Sequence, residues 1–437
     1  MKKTTREHRS TAENPRTPET SMRLLNSSRL TRAAIAGLAV LVAFTLAGCV
    51  STADEHGAAA NADSGGRDCK DGDVMIGSTM STTGFMSVVD APALGMAKIA
   101  IDRVNKGGGV LGCKLKLVEV DGESNPDKEA QIATDLVAKG AKLLLVTCDY
   151  DITAKASQVA QAAGVLVISP CLGDTIMGPK SGLTLGFSMG SAVPGEAAIM
   201  AEYAFKHFGP KAALFRDMSL KYTQNQCKDF QTRWKQLGGT IVADPQFNQT
   251  PQAALAAPVS AQVNEIKGAH PDVIALCSYP GGGAEALATL RKSGDNTPVI
   301  SGFAMDGAYW LGAVPNLSNF YDVTYASVFG DDPNEKIQKL LQDYKEKTGQ
   351  DAVTSSPLTG ASSIEAFAKA AEDAKSFDGA ALAKALESFK DVELTVGSTS
   401  FSPELHINVT RPMAVIEVQN GKHKFVTYQA AEKPVAE

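Results

Sequence analysis

The sequence predicts an α/β protein built from two open, mainly parallel sheets with helices on both faces. Three observations carry this. Short β-rich runs alternate with apolar-periodic stretches at the spacing of βαβ units. Leu143–Val146 is apolar throughout, as a parallel strand covered on both faces must be. The chain has 437 residues, more than one hydrophobic core organises, so two sheets are needed. With 44% apolar and 21% charged residues, the composition excludes a disordered or coiled-coil chain.

The elements follow in order. Asp73–Ser78 (DVMIGS) reads as the first strand, and Ala91 to Asn105 as a helix stopped by Gly107-Gly108-Gly109. Lys114–Val120 alternates like a strand with one wetter face. Asn125-Pro126-Asp127 supplies an N-cap, a proline at the first helical position and an acid for the helix dipole. That helix ends at Gly140. A helix near Thr153–Ala163, a strand Val165–Ile168 and an apparent strand Leu183–Phe187 continue the rhythm. Then come a strand Ala212–Phe215, a helix Gln224–Leu237 and a strand Thr240–Ala243. In open sheets of this kind ligands sit outside the carboxyl ends of the strands, so the loops after strands are the candidate site.

A different logic governs the first 71 residues. From Met22 a basic start with Arg23, Arg29 and Arg32 leads into an apolar stretch from Ala33 to Leu46. That is too short for a membrane span, which needs about 20 residues, and it reads as a signal-peptide core with translation starting at Met22. It closes on Leu46-Ala47-Gly48-Cys49, which resembles the bacterial lipobox and implies that Cys49 is lipidated and leads the mature chain. Residues 49–71 are small and polar and read as a flexible tether. The expected location is therefore extracytoplasmic, at a membrane surface, in the periplasm or on the outer face of the cytoplasmic membrane. The formal charge of −6 combines +5 on residues 1–48 with −11 on the remainder. So acidic a body excludes a phosphate-backbone partner, and no nucleic acid is expected.

Six cysteines remain after Cys49, an even number that suits disulfides in an oxidising space but allows 15 connectivities. Cys148 and Cys171 end neighbouring predicted strands and are within bridging reach; the expected further pairs are Cys69 with Cys113 and Cys227 with Cys277. No CxxC pair occurs and the histidines are scattered, so neither metal nor cofactor is expected.

Val110-Leu111-Gly112 after a Gly-rich helix end, the strand leading to Asp121, the Asn125-Pro126 helix start, Val167-Ile168-Ser169-Pro170 and Tyr279-Pro280 recur in this order. Together they resemble the type I periplasmic binding proteins of ABC uptake systems, in the branched-chain amino-acid (leucine/isoleucine/valine) branch. The resemblance runs from about Asp73 to Tyr428. It implies two Rossmann-like lobes, each a parallel sheet flanked by helices, joined by three hinge crossovers. They are expected near Ser188–Pro194, Val328–Pro333 and Ser402–Arg411. One lobe would combine 72–188 with 332–402, the other 189–331 with 403–428, and 429–437 would form a tail. The implied partners are a small-molecule ligand and a membrane permease, and the implied state is a monomer.

The resemblance also places ligand loops. Asp149 and Tyr150 follow Leu143–Val146 where amino-acid binders commonly offer serine hydroxyls to a carboxylate. An aspartate there would favour a hydroxyl, amide or ammonium group, or else cap the next helix. Leu172, Gly173 and Asp174 occupy a second ligand loop. From the other lobe Tyr222 would cover the ligand, with Ser278 and Tyr279 on another mouth loop and Asp306 as the nearest acid for a ligand ammonium.

Two alternatives compete. Gly186-Phe187-Ser188-Met189-Gly190 fits the G-x-S-x-G nucleophile elbow of a serine hydrolase, with Ser188 as nucleophile. No HGGG-type oxyanion segment accompanies it, and the binding-protein resemblance puts the same stretch at a crossover, so no enzyme is expected. A ligand sensor docking on a signalling receptor would share fold and site.

Overall fold

The computed structural model describes residues 72–435. The predicted export signal, Cys49, the tether and Cys69 lie outside the described residues. In chain order the elements are β1 (Asp73–Ser78), α1 (Ser87–Lys106), β2 (Lys114–Glu119), α2 (Pro126–Ala138), β3 (Leu143–Leu145), α3 (Tyr150–Ala162), β4 (Leu166–Ser169) and β5 (Gly186–Ser188). Next come α4 (Val193–Phe208), β6 (Lys211–Asp217), α5 (Lys221–Gln236), β7 (Thr240–Ala243), β8 (Gln246–Phe247), α6 (Ser260–Ala269), β9 (Val273–Cys277), α7 (Gly282–Lys292), β10 (Val299–Gly302) and β11 (Phe320–Thr324). The chain closes with α8 (Glu335–Thr348), α9 (Ser356–Ala374), α10 (Gly379–Glu387), β12 (Val392–Leu394), β13 (Gly397–Thr399), β14 (Met413–Gln419) and β15 (Lys422–Gln429).

Two main sheets result. The first is parallel, in the order β2-β1-β3-β4-β5. The second repeats that order in β7-β6-β9-β10-β11, also parallel, with β8 beside β6. It then adds β14 and β15 antiparallel on the β11 edge. Asn420 and Gly421, both at positive φ, turn this hairpin, as an Asn-Gly pair between alternating strands does.

The apolar strands are buried from both sides. On the first sheet Leu143, Leu145, Leu166 and Ile168 join the core shared with α1 and α9, whereas Leu144, Val146 and Val167 pack with Ile132, Ala133 and Leu136 of α2 and Ala156 and Ala160 of α3. Helices α1 and α9 approach closely: a Cβ on Gly360 would lie 2.0 Å from the Ala93 carbonyl oxygen, so only glycine fits. Helix α1 starts before Pro92, earlier than the proline suggests. The ring leaves the Val88 carbonyl without its helical donor, and Thr354 Oγ1 takes that place at 3.5 Å. Asn125 caps α2 as expected, accepting from the Asp127 and Lys128 N–H groups.

The chain passes between the two sheets after β5, after β11 and after β13. Helices α8 and α9 pack against α1, and α10 packs against β4, so the segment after β11 returns to the first sheet. The buried Arg411 guanidinium ties these passages together. It donates to the Met189 and Gly190 carbonyls at 2.8 and 2.9 Å and to Thr399 Oγ1 at 2.9 Å. The Ser191 N–H reaches Tyr325 Oη at 3.3 Å.

Candidate functional site

The carboxyl ends of both sheets open onto one cavity of about 460 Å³. That volume suits a small organic molecule. Every loop that reaches it leaves a strand end. Phe85 follows β1, Cys148 and Asp149 follow β3, and Cys171 and Gly173 follow β4; from the second sheet come Tyr222 after β6, Tyr279 after β9 and Phe303 after β10. Tyr309 and Trp310 complete the wall beyond β10.

Contacts across the mouth join the two halves. The Phe85 and Tyr279 rings lie 5.6 Å apart. Asn225 of α5 donates to Asp174 Oδ2 at 2.8 Å. The first residue of α5, Lys221, donates its backbone N–H to Asp151 Oδ2 at 2.8 Å and its ammonium pairs with the same carboxylate. Helix α5 has no side-chain cap of its own and no acid in its first turn, so Asp151 caps it from the opposite half. Gly173 lies against the Tyr222 ring, where a Cβ would stand 2.8 Å from Cε2.

Backbone donors at the strand ends are already claimed by the protein's own carboxylates. Asp90 accepts from the N–H groups of Ser81 and Cys148 at 2.9 and 3.0 Å. Asp149 caps α3, accepting from the Asp151 N–H at 2.9 Å. Glu196 accepts from Tyr222 Oη at 2.7 Å, Gln226 Nε2 at 2.6 Å and the Phe303 N–H at 3.2 Å. Burial pushes Asp90, Asp149 and Glu196 each up to about 7; for Asp149 the neighbouring Asp151 charge adds to the rise. Burial and then the Glu196 charge raise the Tyr222 hydroxyl well above its ordinary range.

Of the nine residues expected at the ligand, Asp149, Gly173, Tyr222 and Tyr279 line the cavity. The other five do not. Tyr150, the first residue of α3, turns its ring to Lys221 Nζ, 5.8 Å from the centroid. Leu172 is buried in the apolar core under α2 and α3. Asp174 holds the Ile176 N–H and Asn225. Ser278 is buried and donates to Asp217 Oδ2 at 2.9 Å. Asp306 Oδ2 accepts from the Ser355 N–H at 2.6 Å and Oγ at 2.8 Å, which fixes the start of α9 instead of facing the cavity. Phe85, Phe303, Tyr309 and Trp310 line the cavity without having been expected, although Phe85 and Phe303 sit on loops after strands, where the rule for open sheets points.

The disulfides Cys148–Cys171 and Cys227–Cys277 are formed as expected. The first lines the cavity and ties the β3 and β4 loops. Cys113 is also disulfide-bonded, and Cys69, its expected partner, lies outside the described residues. Ser188 has no nucleophile's geometry. It is fully buried, its Oγ donates to the Leu172 carbonyl at 2.6 Å and accepts from the Gly190 N–H at 3.0 Å. His406 turns its ring to the Gly186 carbonyl and Glu387.

Known proteins share this architecture. A profile described as periplasmic binding protein matches residues 73–423. The chain belongs to that family. Among curated relatives, a Leu/Ile/Val-binding protein homolog of Brucella abortus (strain 2308) is 25% identical over 342 residues, covering 75% of this chain and 86% of that one. The branched-chain amino acid substrate-binding protein LivJ of Streptococcus pneumoniae, solved with isoleucine, superposes with a TM-score of 0.69 at 24% identity, over 82% of this chain and 99% of that one. A solute-binding protein of Rhodopseudomonas palustris BisB5, solved with 3,4-dihydroxybenzoic acid, gives a TM-score of 0.68 at 18% identity, over 83% and 98%. Periplasmic binding proteins of this kind work outside the cytoplasm, and the two-sheet fold is theirs.

Proposed function

We propose that this protein is the lipid-anchored, extracytoplasmic substrate-binding component of an ABC uptake transporter, a monomer that captures one small solute and passes it to a membrane permease. The lobes are 72–188 with 332–402 and 189–331 with 403–428, and they close on the solute. Asp149, Gly173, Tyr222 and Tyr279 contact it. The observation that carries this reading is a cavity walled by strand-end loops of both sheets, with Asp151 capping α5 across its mouth. Such a cap exists only when the halves meet, so closure and binding are linked: a ligand touching both halves stabilises the closed form. Names borne by relatives make small amino acids and aromatic acids the first solutes to try.

The test is a thermal-shift screen across amino acids, amides, amines, polyols and aromatic acids, followed by small-angle scattering with each hit. Bound solute raises the melting temperature by mass action and reduces the radius of gyration. A hit that leaves the radius unchanged contradicts closure on the solute.

A further inference from the structure

Chemical lining, more than shape, restricts what the cavity can hold. Among the described residues that line it there is no Lys, Arg, His, Ser or Thr side chain. Its ionisable carboxyl groups are Asp149, 5% exposed, and the exposed Glu285. Aromatic rings dominate the remainder: Phe85, Tyr222, Tyr279, Phe303, Tyr309 and Trp310.

An anionic ligand head needs donors. The exposed Gln252 amide and the Tyr279 and Tyr309 hydroxyls line the cavity, but several backbone donors at the strand ends are taken. A helix N-terminus at a strand end is a ready-made seat for a carboxylate. At α3 that seat is filled by the Asp149 carboxylate, which accepts from the Asp151 N–H. The Cys148 N–H beside it goes to Asp90, and the Phe303 N–H opposite goes to Glu196. Tyr222 spends its hydroxyl on Glu196. At these strand ends a ligand carboxylate would therefore meet occupied donors and a buried negative group. The largest charge effects on Asp149 come from Asp151 and Asp174, both acids, and among the described residues that line the cavity there is no cation beside it. A buried carboxylate with no cation among the residues that line its cavity, ringed by π faces, is the complement of an ammonium group.

We infer that the solute is an organic cation, an ammonium group on a small apolar or aromatic body without a carboxylate, whose charge sits between Asp149 and the aromatic wall. This rests on the binding-protein reading above and departs from the amino acids and the aromatic acid named for its relatives.

Matched probes that differ only by a carboxylate test it. Calorimetric titrations at pH 8 compare 3-methylbutylamine with L-leucine and 2-phenylethylamine with L-phenylalanine, on the wild type and on Asp149→Asn. Asparagine caps a helix as well as aspartate does, so this variant keeps α3 and removes only the charge. The expected result is that each amine binds at least about tenfold more tightly than its amino acid, and that Asp149→Asn weakens amine binding by about tenfold or more without lowering the melting temperature measured without ligand. An amino acid that binds as tightly as its amine overturns the inference and leaves the binding-protein reading standing, as does equal amine affinity in the variant. Silence of all four probes overturns it too; the reading itself falls only if the broad solute screen is silent as well.

Discussion

At Asp151 one side chain serves two masters. Its carboxylate satisfies the Lys221 backbone N–H, one of the four donors that begin every α-helix, and pairs with the Lys221 ammonium. The Lys221 side chain is 49% exposed, so the ion pair adds little, and the N-terminal cap is the larger contribution at about 1 kcal/mol. Because donor and acceptor belong to different halves, on the proposed closure that energy belongs to closing and not to folding of either half. Asp151→Ala is therefore expected to weaken solute binding about fivefold while the melting temperature of the open, ligand-free protein stays within about a degree or two; affinity by calorimetry and melting by calorimetric scan check both. Gly173 acts at the same mouth by what it lacks, since any side chain there presses on the Tyr222 ring.

Elements were legible wherever their signals were local. Asn125-Pro126 announced α2, Leu143–Val146 announced a doubly covered strand, and strand ends placed Cys148 beside Cys171, all of which stand in the structure. Helix α3 begins at Tyr150, earlier than expected, because Asp149 is its cap. This also explains why Asp149 could be read either as cap or as ligand contact: it caps α3 and faces the cavity at once. Asp306 was less legible. Its role depends on Ser355, 49 residues away on a segment that has crossed back to the other half, and nothing near Asp306 in sequence signals that partner. Antiparallel β14 and β15 carried an Asn-Gly hairpin signal that the alternating βα rhythm overshadowed. Tyr309 and Trp310 reach the cavity from a long excursion after β10, where side-chain direction follows from tertiary packing alone.

Across the whole molecule, buried carboxyl groups set a pH dependence. Burial raises Asp90, Asp149 and Glu196 to about 7 and Glu129 to about 8, against ordinary values near 4. Groups raised in the folded state bind more protons there than in the unfolded chain, so stability falls as pH rises through these values. Two histidines act oppositely at lower pH: burial depresses His406, and brings His423 down to about 4, so their contribution is lost as pH falls below about 6.5. Burial opposes ionisation of Asp121 as well, but hydrogen bonds from Thr83 Oγ1 and the N–H groups of Glu123, Thr82 and Thr83 outweigh it and hold Asp121 at about 2, so its stabilising share is constant above pH 5. Among the described residues, the groups brought into the interval between pH 6.5 and 8.5 are these carboxyl groups. The ligand-free protein is expected to melt at steadily lower temperature across that interval; a melting temperature that rises there contradicts the buried-acid account.

Two sheets with the same strand order face each other with their carboxyl ends, and everything proposed for this protein requires that the space between them be where the solute goes. Gly173→Leu probes that space directly. Its side chain enters the cavity against Tyr222 only when the halves meet, so the open form folds as before. In one-to-one calorimetric titration with a solute from the screen, the account predicts one binding site per wild-type chain and no measurable binding to Gly173→Leu at an equal ligand-free melting temperature. Equal affinity in both proteins would contradict it.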